Sequence, residues 1–244
     1  MNEVGRGEVG DNKYRENRAY CKKVMEGWYL ADGGYNSDTM SESNRYLADE
    51  LMRELSDLGE LMTARGVSQN KSINILDIGA GAQVFERYFF DKLGETYKRW
   101  GIFNNKIGRK IVMVPLDIIE VDKVLIPEER SAYTVQGDIT EGPFKDDTFE
   151  IIISNATISI LPAREFLTEI YRILKPGGVV LFHFYPFDKI ISELKLSDSL
   201  AKGNIEEIKE RFVNYGFIKV ELEEEVTREN QWLKLRAEKP LSQK

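Results

Sequence analysis

The stretch that most constrains this chain is ILDIGAGAQVFERYF, residues 75–89. Ile73, Ile75, Leu76 and Ile78 form a short apolar run suited to a buried strand. Gly79 and Gly81 leave room for a close backbone approach, and the apolar spacing then slows to that of a helix at Val84, Tyr88 and Phe89. A strand that turns through glycine into a helix offers unpaired backbone N–H groups and the positive end of the helix to a ligand. The residues around the turn decide which ligand.

A dinucleotide fingerprint, G-x-G-x-x-G, requires glycine at position 84, where this chain has Val84. Asp77, two residues before the first glycine, would repel a pyrophosphate and attract a cation. The phrase D-I-G-A-G resembles motif I of the class I S-adenosylmethionine-dependent methyltransferases, whose cofactor carries a sulfonium and an ammonium group and no phosphate. Gln83 stands where that family usually has a third glycine. The resemblance implies that Asp77, Gly79, Ala80 and Gly81 bind the cofactor.

Composition excludes several functions. At 244 residues the chain is long enough for one sizeable core. Lys and Arg total 34 against 41 Asp and Glu, a net charge of −7, and no basic stripe stands out, so nucleic acid is not an expected partner. One cysteine, Cys21, excludes an intrachain disulfide and a cysteine-rich metal site, and one histidine, His183, closes off a multi-histidine site. The first residues contain no apolar leader-like run, and no uninterrupted apolar stretch is of membrane-spanning length. A soluble, cytoplasmic protein without a membrane partner is expected. Its oligomeric state is not legible.

Residues 1–18 are polar, and residues 20–38 place Trp28, Tyr29 and Tyr35 around Gly33 and Gly34. These aromatics read either as packing of an N-terminal helix or as a lid over the ligand. Leu47, Leu51, Leu55, Leu58 and Leu61 mark an amphipathic helix over 43–61 with Ser43 as its cap, and Arg45 near its start is either solvated or within reach of the cofactor carboxylate. Residues 1–65 thus read as a helical cap and 66–244 as the binding domain. A second strand, 111–116, ends in Asp117, which with Ile118 is a candidate for binding the cofactor. A carboxylate at that tip suits ribose hydroxyls, and it also reads as a strand-ending turn acid, with Glu120 in reserve. An insertion must lie around residues 94–110.

A third strand over 131–136 precedes GDIT, and PFKDDTFE leads into a fourth strand over 149–154. In the family resembled, the acid after the third strand meets the adenine amino group and the next backbone N–H a ring nitrogen, which implies Asp138 and Ile139. Asn155 sits at the carboxyl end of the fourth strand, the edge where open α/β sheets bind ligands. Pro162 opens a helix that KPGG, residues 175–178, terminates before a fifth strand over 179–184. Near that strand's end, His183 reads either as a general base or as a packed, satisfied ring. Residues 190–215 read as helical and charged, followed by two antiparallel strands around 224–230.

The expected fold is therefore α/β: a Rossmann-like three-layer sandwich with a seven-stranded, mostly parallel sheet, its last strand antiparallel, plus an N-terminal helical segment. The resemblance implies S-adenosyl-L-methionine as cofactor, methyl transfer by in-line displacement, and no metal. SNATIS after the fourth strand argues against adenine or glutamine amino methylation, and no paired-glutamate loop of arginine methyltransferases appears. A small-molecule acceptor is the first expectation and a protein acceptor the second. The rivals are a non-catalytic module that binds S-adenosylmethionine and a nicotinamide-dependent oxidoreductase.

Overall fold

The structure, a computed structural model, describes residues 37–68, 71–80, 85, 88–89, 111–117, 135–184, 199–226 and 231–241. Its elements run α1 (Ser37–Ala64), β1 (Ile73–Ile78), β2 (Ile111–Asp117), β3 (Val135–Gln136), β4 (Phe149–Asn155), α2 (Ala163–Ile173), β5 (Leu174–Phe184), α3 (Ile205–Asn214), β6 (Ile218–Val226) and β7 (Gln231–Glu238). Short 3-10 turns, Ile139–Glu141 and Thr157–Ile160, follow β3 and β4. The sheet order is β3-β2-β1-β4-β5-β7-β6, and β7 alone runs against its neighbours. This is the expected seven-stranded sheet with its last strand reversed.

Strand residues alternate between two cores, as the two-residue period of a strand dictates. Ile73, Ile75, Met113, Ile151, Ile153, Val179 and Leu181 face α1 and pack with Leu47, Leu51, Leu55, Phe85 and Phe89. Leu76, Ile78, Phe149, Ile152, Val180, Phe182 and Phe184 face the other way, onto α2 and α3. Helix α2 meets them with Ala163, Phe166, Leu167, Ile170 and Ile173, an apolar stripe at helical spacing. Asn204 caps α3 in a reciprocal capping box with Glu207.

Three boundaries differ from the sequence reading. Helix α1 begins earlier than expected, so Ser43 is no cap: it lies inside the helix and is buried. Its hydroxyl finds a partner on the sheet, which no local pattern announces. KPGG ends α2 as expected, yet β5 starts at once with Leu174, paired to Phe149, before the register shifts to Ile151 opposite Val179. Gly177, at φ +77°, donates to Lys239 O at 2.8 Å and the Lys239 N–H to Gly178 O at 2.9 Å, so the glycines join the sheet through β7's extension. Within the region expected to be helical over 190–215, residues 199–204 form turns and a bridge and α3 occupies Ile205–Asn214, while residues 185–198 lie outside the described residues. So do Trp28, Tyr29, Tyr35, Glu120 and the insertion around 94–110.

Helix α1 also meets the sheet through a polar seam. Tyr46, Glu50 and Glu54, one turn apart, face Lys234, His183 and Arg236 respectively. Burial works against the Arg236 charge, but its hydrogen bonds to Glu54 and Glu238 outweigh this and raise its pKa well above the usual guanidinium value. Burial likewise pushes Glu238 upward, and the hydrogen bonds from Lys219 and Arg236 prevail and hold it below its ordinary 4.5. A carboxylate lowered in this way contributes stability that is complete above the ordinary value and is lost as pH falls through the lowered one. Unfolding free energy measured from pH 6 downward should therefore fall below pH 4.5, and Glu238→Gln should flatten that part of the acid limb.

Candidate functional site

Strand parity decides what gathers at the carboxyl edge. Asp77 follows Ile73 and Ile75, Asp117 follows Met113, Asn155 follows Ile151 and Ile153, and His183 follows Val179 and Leu181. All four therefore face α1, at the carboxyl ends of β1, β2, β4 and β5. The strands' apolar lower halves anchor the sheet to α1, and their polar tips form the floor of a crevice at the edge where open α/β sheets bind ligands. Asp77 is 3% exposed and Asp117 7%. Both carboxylates are thus withdrawn from bulk water on the floor of the crevice.

The glycine turn departs from expectation in its hydrogen bonding. The N–H groups of Gly79 and Ala80 are not left open: both donate to Leu116 O, at 2.8 and 3.2 Å. The β1–β2 ladder thus continues past the end of β1, because β2 extends alongside it to Asp117. Gly79 has φ +76°, and a Cβ built on it would stand 1.9 Å from Thr157 Oγ1. Only glycine suits both the conformation and the space. Thr157, which drew no notice in the sequence, is the residue that closes over the turn. Gly81 and Ile118 lie outside the described residues.

Asp138 caps the first 3-10 turn, its Oδ1 accepting from Thr140 N at 2.9 Å and Thr140 Oγ1 at 2.7 Å. That bonding orients its carboxylate rigidly beside β3. Ile139 is buried in the α2-side core. Asn155 accepts at Oδ1 from Ser43 Oγ (2.8 Å) and donates from Nδ2 to Asn44 Oδ1 (2.7 Å), so α1 holds its amide. Beside it, Ser154 Oγ donates to Ile78 O at 2.8 Å and the Ala156 N–H to His183 O at 2.7 Å, tying the ends of β1, β4 and β5 together. Ala156 takes φ +71°, a conformation unusual for a residue with a side chain.

His183 is 1% exposed, with Nδ1 3.3 Å from Ser43 Oγ and Nε2 3.5 Å from Glu50 Oε2. The latter contact does not meet hydrogen-bond geometry, so Nε2 is buried without a hydrogen-bond partner. Lys234, opposite His183 in the β5–β7 register, pairs with Glu225 and lies over the Tyr46 ring at 2.9 Å from its centroid. Arg45 is exposed. Sequence reasoning missed Asn44, Glu50 and Thr157 and read Ser43 only as a cap, because each acts through a partner more than 70 positions away.

A family model described as "Methyltransferase domain" matches residues 110–182. Malonyl-[acyl-carrier protein] O-methyltransferase of Serratia marcescens is 28% identical over 129 residues, 52% of this chain and 43% of that protein. Among solved structures, Burkholderia thailandensis 1,6-didemethyltoxoflavin-N1-methyltransferase, with bound 1,6-didemethyltoxoflavin and S-adenosylhomocysteine, aligns over 98% of this chain and 93% of its own, at TM-score 0.53 and 14% identity. The fold is that of the class I S-adenosylmethionine-dependent methyltransferases. The DszA carbon methyltransferase shares it at TM-score 0.59 and 14% identity, over 96% of this chain and 68% of its own. This chain spans less than half the length of the curated methyltransferase it matches. Among the described residues, no helix of the methyltransferase fold is long and apolar enough to cross a membrane.

Proposed function

We propose that this chain is an S-adenosylmethionine-dependent methyltransferase that acts on a small-molecule acceptor. The observation that carries the reading is the convergence of Asp77, Asp117 and Asn155 on one face at the carboxyl edge of a sheet of this order, beneath α1. The donor set fits the cofactor. Asp77, a buried carboxylate beside a glycine that tolerates no side chain, suits the cationic amino-acid part. Asp117 suits the ribose hydroxyls, and Asp138 and Ile139, at the turn after β3, are the residues we assign to the adenine. Gly81, Ala80 and Ile118 complete the proposed cofactor set, drawn from the motif alone.

When bound, S-adenosylmethionine supplies a methyl group already activated by its sulfonium. The chain's own contribution is then alignment and exclusion of water. Asp77 and Asp117 orient by charge and hydrogen bonding, and α1 covers the crevice through Ser43 and Asn44. His183 stands close enough to the edge to take an acceptor proton only if α1 moves aside, because it is 1% exposed in the docked arrangement. The structure of the site therefore suits an acceptor that needs no strong base. That seal over the only histidine also keeps a second reading in play, a cofactor-binding module without turnover.

Titration calorimetry with S-adenosylmethionine, S-adenosylhomocysteine and NADH tests the proposal. Micromolar binding of the first two without response to NADH is the expected result. NADH binding would revive a nicotinamide oxidoreductase. Silence with all three would end the methyltransferase reading for this chain alone. Turnover of S-adenosylmethionine on any acceptor removes the non-catalytic module.

A further inference from the structure

Donors and acceptors can be counted where α1 crosses Asn155 and His183. These two face each other in the β4–β5 register, and α1 meets them with Ser43, Asn44 and Glu50. Asn155 Nδ2 donates to Asn44, which orients the amide so that Oδ1 turns to Ser43. A serine hydroxyl has one proton and can accept on its lone pairs. The Ser43–Asn155 contact, 2.8 Å, is an ordinary O–H···O distance, whereas Ser43–His183 is 3.3 Å, so the proton belongs to the shorter contact. Ser43 can then only accept from His183, and Nδ1 must carry the ring hydrogen. A neutral imidazole has one such hydrogen. Nε2 is left as a bare lone pair, without a hydrogen-bond partner and 3.5 Å from Glu50 Oε2.

We infer that Ser43 is a positioning residue for the proposed site: its single hydroxyl proton holds the Asn155 amide that Asn44 orients, and its lone pair, accepting from the ring, fixes the Nδ1–H tautomer of His183. This rests on the methyltransferase reading only for its effect on ligand binding. Ser43 and Asn44 lie in the second turn of α1, so the same bonds dock the cap helix to β4 and β5. The remaining amide hydrogen and lone pair of Asn155 are thereby aimed by the helix rather than by its own strand. Around the ring stand Glu50 and Tyr46 from α1, Asn155 from β4, and Lys234 from β7 with its Glu225 from β6. Arg53, itself exposed, is 3.7 Å from the other oxygen of Glu50. None of these donates a hydrogen bond to Nε2.

The chain's only histidine gives a single imidazole signal pair, so nitrogen-15 spectroscopy of the histidine-labelled, ligand-free protein reads the tautomer without assignment. At a pH where the ring is neutral, Nδ1 should be protonated and Nε2 bare. Ser43→Ala removes the acceptor of Nδ1–H and should switch the ring to Nε2–H, facing Glu50, while Ser43→Thr keeps the wild-type spectrum. In parallel, S-adenosylhomocysteine affinity should fall about tenfold in Ser43→Ala and stay within about twofold in Ser43→Thr, the size of one lost hydrogen bond. A wild-type Nε2–H spectrum, or no tautomer change in Ser43→Ala, overturns the proposal. The tautomer is read without ligand, so a protein that binds no S-adenosylhomocysteine would overturn the functional reading and leave the tautomer result standing.

Discussion

Gly79→Ala should destabilise the fold by roughly 3 kcal/mol and remove cofactor binding with it. Two independent costs add at this position. The backbone sits at φ +76°, where an L-side chain costs about 1–2 kcal/mol. The new Cβ would stand 1.9 Å from Thr157 Oγ1 and 2.4 Å from Thr157 Cβ, an overlap that no rotamer of Thr157 relieves, because the second distance involves the carbon fixed to its backbone. Relief requires the segment after β4 to shift, at a further cost of about 1–3 kcal/mol. Asn155, the last residue of β4, adjoins that segment and Ala156 opens it, the latter already at φ +71° and bonded to His183 O. Damage at the glycine turn therefore reaches the other side of the crevice. Denaturant unfolding of Gly79→Ala, Thr157→Gly and the double variant separates the two costs. The double variant should recover the steric part and retain the backbone part, and strict additivity would show that Thr157 does not close over the turn.

Asp77→Ala should weaken S-adenosylmethionine binding by roughly two orders of magnitude, about 3 kcal/mol, while leaving a folded protein. Its carboxylate, 3% exposed, lies with Asp117 on the floor of the crevice. A cationic ligand seated there exchanges hydration for a fixed negative charge in surroundings that screen it weakly. Asp77→Asn, which keeps the shape and removes the charge, should lose most of the same affinity. Asp117→Ala, which removes acceptors for neutral hydroxyls, should lose less, on the order of tenfold. Calorimetry measures all three, with far-ultraviolet circular dichroism as the check on folding. Wild-type affinity in Asp77→Ala would mean that the ligand binds away from the glycine turn.

Much of the sheet was legible because a strand's two-residue period and a helix's wider period leave different marks. The apolar runs 73–78, 111–116, 149–154 and 179–184 all became strands, and Phe166 and Ile170 lie on the buried face of α2 as expected, whereas Leu174, expected on the same face, opens β5. Asp117 and Asn155 stand out because each sits at the end of such a run, Asp77 through the glycine motif and His183 as the sole histidine near a strand end, and parity within the strand turns all four toward α1. What the sequence did not announce was the use already made of the polar groups. The N–H groups of Gly79 and Ala80 were expected to await a ligand, and Leu116 O takes both. Ser43 was expected to cap a helix and instead bonds Asn155.

By itself, then, the sequence determined the α/β class, the seven-stranded sheet with one reversed strand, and the edge at which polar side chains collect. The individual strands and helices follow from local periodicity and from residues, such as glycine and proline, whose backbone preferences act where they stand, and their assembly into a seven-stranded sheet with one reversed strand is what the resemblance implies. Only the tertiary structure decided how the edge is wired: Thr157 over Gly79, Ser43 and Asn44 on Asn155, Glu50 beside His183, and Glu54 on Arg236. Each of these pairs joins distant segments. A polar side chain's partner is set by which elements pack together, and burial then makes that partner obligatory.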